Sequence, residues 1–196
     1  MAGVHFLIQC VCNGAGKLYG IFAGEMAVVH DLAIAKAAMT LGTRTRAADV
    51  VIAQAYPEEM DLWQAGKALY AAENVVRQGG KIIVAASLAE GIGPHVRYAE
   101  LLSASKEEIL KYRNHYDENG LAAAASWLSY QVRRKAEVVF VTDNPYFGAM
   151  QKVSGIKIYR DMQNAVDYAL RSCGAQNPIV ALLKEAPLLL PITQEV

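Results

Sequence analysis

Cysteine is scarce in this 196-residue chain: there are three, Cys10, Cys12 and Cys173. An odd count without a framework spacing excludes a disulfide scaffold and points to a reducing compartment, so a cytoplasmic location is expected. No basic stretch followed by a long apolar run stands near Met1, so no signal peptide is expected. The longest apolar runs are strand-length, short of the roughly 20 residues a membrane-spanning helix needs, which argues against a membrane partner. Neither sign of charge predominates: 19 Lys and Arg balance 19 Asp and Glu. No basic face is evident, and nucleic acid drops out as a partner. Weak net charge leaves self-association open, so a homo-oligomer stays among the expected arrangements. Internal repeats and low-complexity segments are also absent.

Ligand and catalytic clusters are equally thin. The four histidines, His5, His30, His95 and His115, are scattered, and none pairs with another at helical ligand spacing. Cys10 and Cys12 share one face of a strand but have no histidine nearby, a poor zinc set; packing in the core is expected of them. No Ser/His/Asp arrangement can be read. The residues therefore assign no catalytic group and no metal ligand to this chain.

What is present is a globular composition, 54% hydrophobic and 19% charged, long enough for one large domain or two small ones. His5 to Asn13 and Lys17 to Ala23 read as two strands across an Asn-Gly turn, a hairpin. Met26 to Leu41 is an Ala-rich helix. Further on, strands are expected at Asp49–Ala55, Lys81–Leu88, Glu137–Thr142, Ile156–Tyr159 and Pro178–Leu183. Helical stretches fall between them: Asp61–Gln78 stopped by Gly79-Gly80, Tyr98–Ser103, Lys106–Tyr116, Gly120–Lys135 and Met162–Cys173. Strands alternating with helices imply the α/β class: a Rossmann-like, mostly parallel sheet with helices on both faces, preceded by a β-hairpin plus helix of a different unit. Residues 1–41 are read as that separate unit, 47–183 as the α/β domain, and 184–196 as a tail returning toward the first unit.

In open α/β sheets, ligands bind at the carboxyl ends of the strands, so three loops matter. The first, Tyr56 to Lys67, places Gln64 and Lys67 three apart, on one helical face. An ammonium beside an amide suits a small carboxylate or hydroxy acid, charge from one and directional hydrogen bonds from the other. Asp61 with Gln64 is equally a capping pattern, and Lys67 could simply be solvated. The second, Glu90-Gly91-Ile92-Gly93, lacks the spacing of a dinucleotide fingerprint and reads as a tight turn, with His95 beside it as a site candidate. The third, Asp143-Asn144-Pro145, reads as a helix start, capped by Asp143 or Asn144 with Pro145 at the first helical position. Trp127, a large aromatic in an Ala-rich helix, is core packing or the aromatic wall of a ligand site.

These residues resemble a family. Asp49-Val-Val-Ile-Ala-Gln-Ala-Tyr56-Pro57 with Asp61, Gln64 and Lys67, then Val76 to Ile83 and Glu90-Gly-Ile-Gly93, is similar to the C-terminal domain of the nickel-pincer lactate racemases. Gly20 to Glu25 with His30, and Ala186 to Pro191, resemble the flanking parts. The match runs nearly end to end but covers about the second half of a full-length member, lacking most of the N-terminal catalytic domain. The resemblance implies a substrate-binding and closing domain of an isomerase, a 2-hydroxy-acid racemase or epimerase. Substrate contacts would fall at Gln64, Lys67, Trp127 and Tyr56. It implies a nickel-pincer nucleotide in the full-length protein, with this chain alone binding no cofactor and inactive. Its partners would be a small 2-hydroxy acid and the missing N-terminal domain. Gln54-Ala55 stand where the family often has Gly-Gly, a difference that bears on substrate choice. The residues by themselves leave two other readings: a self-sufficient small-molecule-binding or regulatory α/β domain, and an assembly module without a ligand.

Overall fold

In the computed structural model, which describes residues 3–193, the chain divides into two compact units. The outermost residues of the expected segments 1–41 and 184–196, namely 1–2 and 194–196, lie outside the described range. Among the described residues no helix is long and apolar enough to cross a membrane.

The smaller unit takes residues up to Arg44 together with Leu188–Ile192. β1 (Leu7–Cys12) and β2 (Leu18–Gly24) form an antiparallel hairpin, Leu7 opposite Gly24. The Asn13 carboxamide oxygen accepts from the Ala15 and Lys17 N–H groups and fixes the turn. α1 (Met26–Leu41) follows, capped by the Glu25 carboxylate accepting from Val28 N–H. The bond belongs to the charged form, and with further backbone donors it holds the Glu25 carboxyl below its usual range. β3 (Gly42–Thr45) comes next and pairs with the last strand, β9 (Leu190–Thr193). Residues 42–46, which fall between the two expected units, thus include a strand, because a tail segment far off in sequence supplies its partner. Cys10 and Cys12, expected in the core, are exposed. Period-2 alternation buries Val11 and turns its neighbours to the other face.

The larger unit, Thr45–Pro187 in its continuous part, carries the parallel sheet. In chain order its elements are β4 (Ala48–Gln54), α2 (Leu62–Ala65), α3 (Ala68–Val75), β5 (Val76–Ala85), α4 (Val96–Leu101), α5 (Lys106–Leu110), α6 (Glu118–Lys135), β6 (Glu137–Val141), α7 (Phe147–Ser154), β7 (Lys157–Tyr159), α8 (Met162–Ser172) and β8 (Val180–Leu183), followed by a 3₁₀ turn at Ala186–Leu188. The strand order is β7-β6-β5-β4-β8, every pair parallel. The chain winds outward from β4 to β7, then crosses back to place β8 on the other side of β4. Side chains alternate across the sheet. Val50, Ile83, Val139 and Val141 pack with Ala165 and Ala169 of α8. The intervening Val51, Ile82 and Phe140 are also wholly buried, and α3 and α6 pack on β4, β5 and β6. This is the both-faces-covered sheet that continuous apolar runs predict.

Several boundaries differ from expectation: the helix expected over Lys106–Tyr116 ends at Leu110, and the one expected over Asp61–Gln78 is divided into α2 and α3. Gly79-Gly80 does not end a helix: α3 stops at Val75, and β5 begins at Val76. The register runs from Ala48 opposite Val76 to Val50 opposite Lys81, so the intervening residues of β5 bulge out. Gly79 takes φ 79° there, and a Cβ on Gly80 would lie 2.7 Å from the Asp49 carbonyl oxygen. The glycines permit a bulge and a close backbone approach, which reads in sequence like a helix stop. A further difference lies at α7, whose cap residue is Tyr146. Asn144 instead accepts from Tyr146 N–H in a turn that precedes the helix, so Pro145 sits outside it.

Candidate functional site

The loops after β4, β5 and β6 are tied into one platform at the carboxyl edge of the sheet. The Glu59 carbonyl accepts from Leu88 N–H at 2.8 Å and from the Ser87 hydroxyl at 3.1 Å. Glu90 N–H donates to the Met60 carbonyl, and Leu62 N–H to the Gly91 carbonyl. From the third loop, Thr142 Oγ1 donates to the Ser87 carbonyl and Asn144 Nδ2 to the Leu88 carbonyl, both at 2.6 Å. Leu88 is left with φ 48°, a left-handed conformation that this network sustains.

On that platform sits the segment Tyr56 to Lys67. It opens with a cis Tyr56–Pro57 peptide. Asp61 is buried and caps α2, its Oδ1 accepting from Gln64 N–H at 2.8 Å. The capping reading of Asp61 and Gln64 is therefore realised on the Asp61 side. The Gln64 side chain does not complete the box: its Oε1 is shut from solvent and has no hydrogen-bond partner. The Gly-rich loop closes over the cap. Gly93 has φ 70°, and a Cβ there would lie 2.6 Å from the Asp61 carboxyl carbon. One turn beyond Gln64, Lys67 Nζ lies 3.0 Å from Glu58 Oε2, both side chains partly exposed. Tyr56 is half-exposed. With Gln54, Glu59, Ala85, Ala86 and Ser87 it lines a cleft of about 200 Å³.

Sequence reasoning missed Trp63. Its ring lies 4.2 Å from that of His95, centroid to centroid, and 5.0 Å edge-on to Tyr98. His95 thus joins the segment through Trp63. Tyr98 is buried beneath, its hydroxyl 3.2 Å from Ser129 Oγ. Burial pushes the Tyr98 phenol far above the ordinary tyrosine range, with only partial relief from the Ser129 contact, so it stays protonated. The signal for Trp63 was available: an aromatic directly before Gln64, in the same helical turn. Trp127 is placed elsewhere. It packs with Tyr112 and Tyr130 against Leu101, Ile109 and Ala123, and lines a cleft of about 360 Å³ with Arg113 that no residue of Tyr56–Lys67 lines.

Among the described residues, no three His, Cys, Asp or Glu side chains stand together as a metal set.

An open, all-parallel five-stranded sheet whose three loops after β4, β5 and β6 are joined by hydrogen bonds at its carboxyl edge defines a Rossmann-like α/β domain. The family is specific: residues 43–186 match the lactate racemase C-terminal domain, and the chain belongs to that family. Lactate racemase from Thermoanaerobacterium thermosaccharolyticum is 29% identical over 94 residues, 47% of this chain and 22% of that protein. The solved lactate racemase apoprotein from the same organism superposes with a TM-score of 0.74 at 21% identity, covering 98% of this chain and 46% of its own. A crystal structure of a Thermotoga maritima protein gives 0.62 at 16% identity, covering 96% and 49%. The chain spans about half the length of these solved relatives.

Proposed function

We propose that this chain supplies the substrate-binding and closing part of a 2-hydroxy-acid racemase or epimerase resembling lactate racemase. Lys67 takes the substrate carboxylate and Gln64 the neighbouring hydroxyl. The observation that carries the reading is the Gln64 carboxamide oxygen, buried without a donor on the same short segment as the Lys67 ammonium. An unsatisfied buried acceptor costs about 1–3 kcal/mol. The side chain as a whole is only partly buried, so its oxygen can turn to accept from a ligand hydroxyl. Tyr56 and Trp63 belong to the reading as aromatic neighbours on the same segment. Trp127 enters it only as the wall of a separate cleft. Family membership supports the reaction class. A nickel-pincer nucleotide, held by residues outside this chain, would supply the hydride chemistry. The residues here bind, orient and exclude water as the domain closes.

The test is Lys67→Ala in the longer racemase that contains this domain. The expected outcome is an apparent KM for lactate raised roughly tenfold with kcat little changed, the pattern of a lost charge-assisted contact. An unchanged KM would remove Lys67 from the carboxylate site.

A further inference from the structure

We infer that Glu58 is a specificity-determining residue of this site: it competes with the substrate carboxylate for Lys67 and biases the site toward monocarboxylates over dicarboxylates. The inference rests on the reading of Lys67 just given.

Lys67 is already engaged, its ammonium 3.0 Å from Glu58 Oε2. An incoming carboxylate must displace Glu58 or share the ammonium with it. Within Tyr56–Lys67 there are three carboxylates, Glu58, Glu59 and Asp61, and one ammonium. Asp61 is committed to the helix cap, and Glu59 has one carboxylate oxygen shut from solvent without a donor. Neither brings positive charge, so once a substrate carboxylate holds Lys67, Glu58 loses the one ammonium it is paired with. A single carboxylate restores the count of one anion per cation only by pushing Glu58 into water. A second carboxylate on the same ligand meets Glu58 with nothing to pair it, and like charges at such range repel. Glu58 and Lys67 are 33% and 43% exposed, so water and salt screen the pair and displacement is affordable. An exposed ion pair of this kind is weak, worth a factor of about two to five in binding.

The experiment is a titration of the ¹⁵N-labelled 196-residue chain with lactate and, separately, with malate, read at the amides of residues 56–67. It compares wild type, Glu58→Gln, Lys67→Ala and the double variant. Glu58→Gln is expected to bind lactate about two- to five-fold more tightly and to gain more for malate, narrowing the preference for the monoacid. In the double variant the gain for lactate should vanish, since Glu58 acts through Lys67. If Lys67→Ala weakens lactate while Glu58→Gln changes neither ligand, the competition is refuted and the Lys67 reading stands. If Lys67→Ala leaves lactate binding unchanged, or if no variant and no wild-type chain responds to either acid, both fall together. Amide dispersion in the same spectra reports whether each variant is folded.

Discussion

The two units of this chain use their apolar residues in opposite ways. In the larger unit Val50, Val51, Ile82, Ile83 and Phe140 are fully buried, with helices on both faces of the sheet. In the smaller unit, burial among the described residues falls to Val11, Val29, Ala33 and Pro191. Phe6 is 64% exposed, Ile8 65% and Met39 81%. Helix α1 turns Val29 and Ala33 inward while Val28, Leu32 and Ile34 stay exposed on its other sides. A helix apolar all round is built for burial on more than one side. The hairpin repeats the pattern, with Ile8 and Ile21 exposed beside Cys10 and Cys12. The difference teaches that composition averages over two kinds of unit. One is stabilised by its own core; the other leaves most of its large apolar side chains on the surface.

The contrast can be broken by substitution. Phe140→Ala empties the centre of the larger sheet and is expected to cost about 3–5 kcal/mol, read as a fall in the midpoint of chemical denaturation. A small loss would mean the sheet is not the main source of stability. Gly93→Ala forces a side chain into the left-handed region against the Asp61 cap. About 1–3 kcal/mol should be lost, with amide shifts concentrated at residues 61–67 in the NMR spectrum. Shifts spread evenly over the domain would separate the Gly-rich loop from the cap. Asp49→Asn acts more weakly and through pH. The Ile179 N–H bond, first, and Arg77 beside it hold the Asp49 carboxyl below its usual range. A depressed carboxyl contributes stability that is complete above its unfolded pKa and is lost as pH falls through the folded value. Wild type should therefore lose more stability on acidification than Asp49→Asn, and parallel acid-denaturation curves would remove Asp49 as a contributor. The smallest effect belongs to the other unit: Ile21→Ser, on an exposed face, should change folding stability by no more than about 0.5 kcal/mol. A large loss there would mean that the face is already covered by a second molecule in solution.

Much of the fold was legible because its signals are local. The Ala-rich run gave α1 its bounds at Met26 and Leu41, and the apolar runs at 49–55 and 137–142 located β4 and β6 within a residue. What escaped was set by distant partners. Gly79-Gly80 has the composition of a helix stop, and only the neighbouring strand makes it a bulge. Nothing in Gly42–Thr45 announces a strand, because its partner is Leu190–Thr193. The site divided in the same way. The Asp61 cap on Gln64 N–H could be read from spacing, whereas the break that leaves Lys67 between α2 and α3 could not. The ring of His95 on Trp63 and the closure of Gly93 on Asp61 come from a loop some thirty residues further on, beyond the reach of spacing.

The crossover that sets β8 beside β4 also has a consequence for synthesis on the ribosome. The Ile179 N–H that donates to Asp49 lies 130 residues after it. Strands β4 to β7 can pair as they emerge, yet β4 keeps one bare row of N–H and C=O groups until translation has passed Leu183. For most of its elongation the nascent domain therefore carries an open strand edge, a template for pairing with another chain. Ribosome pausing late in the message would lengthen that exposure, and rapid completion of the last stretch would shorten it.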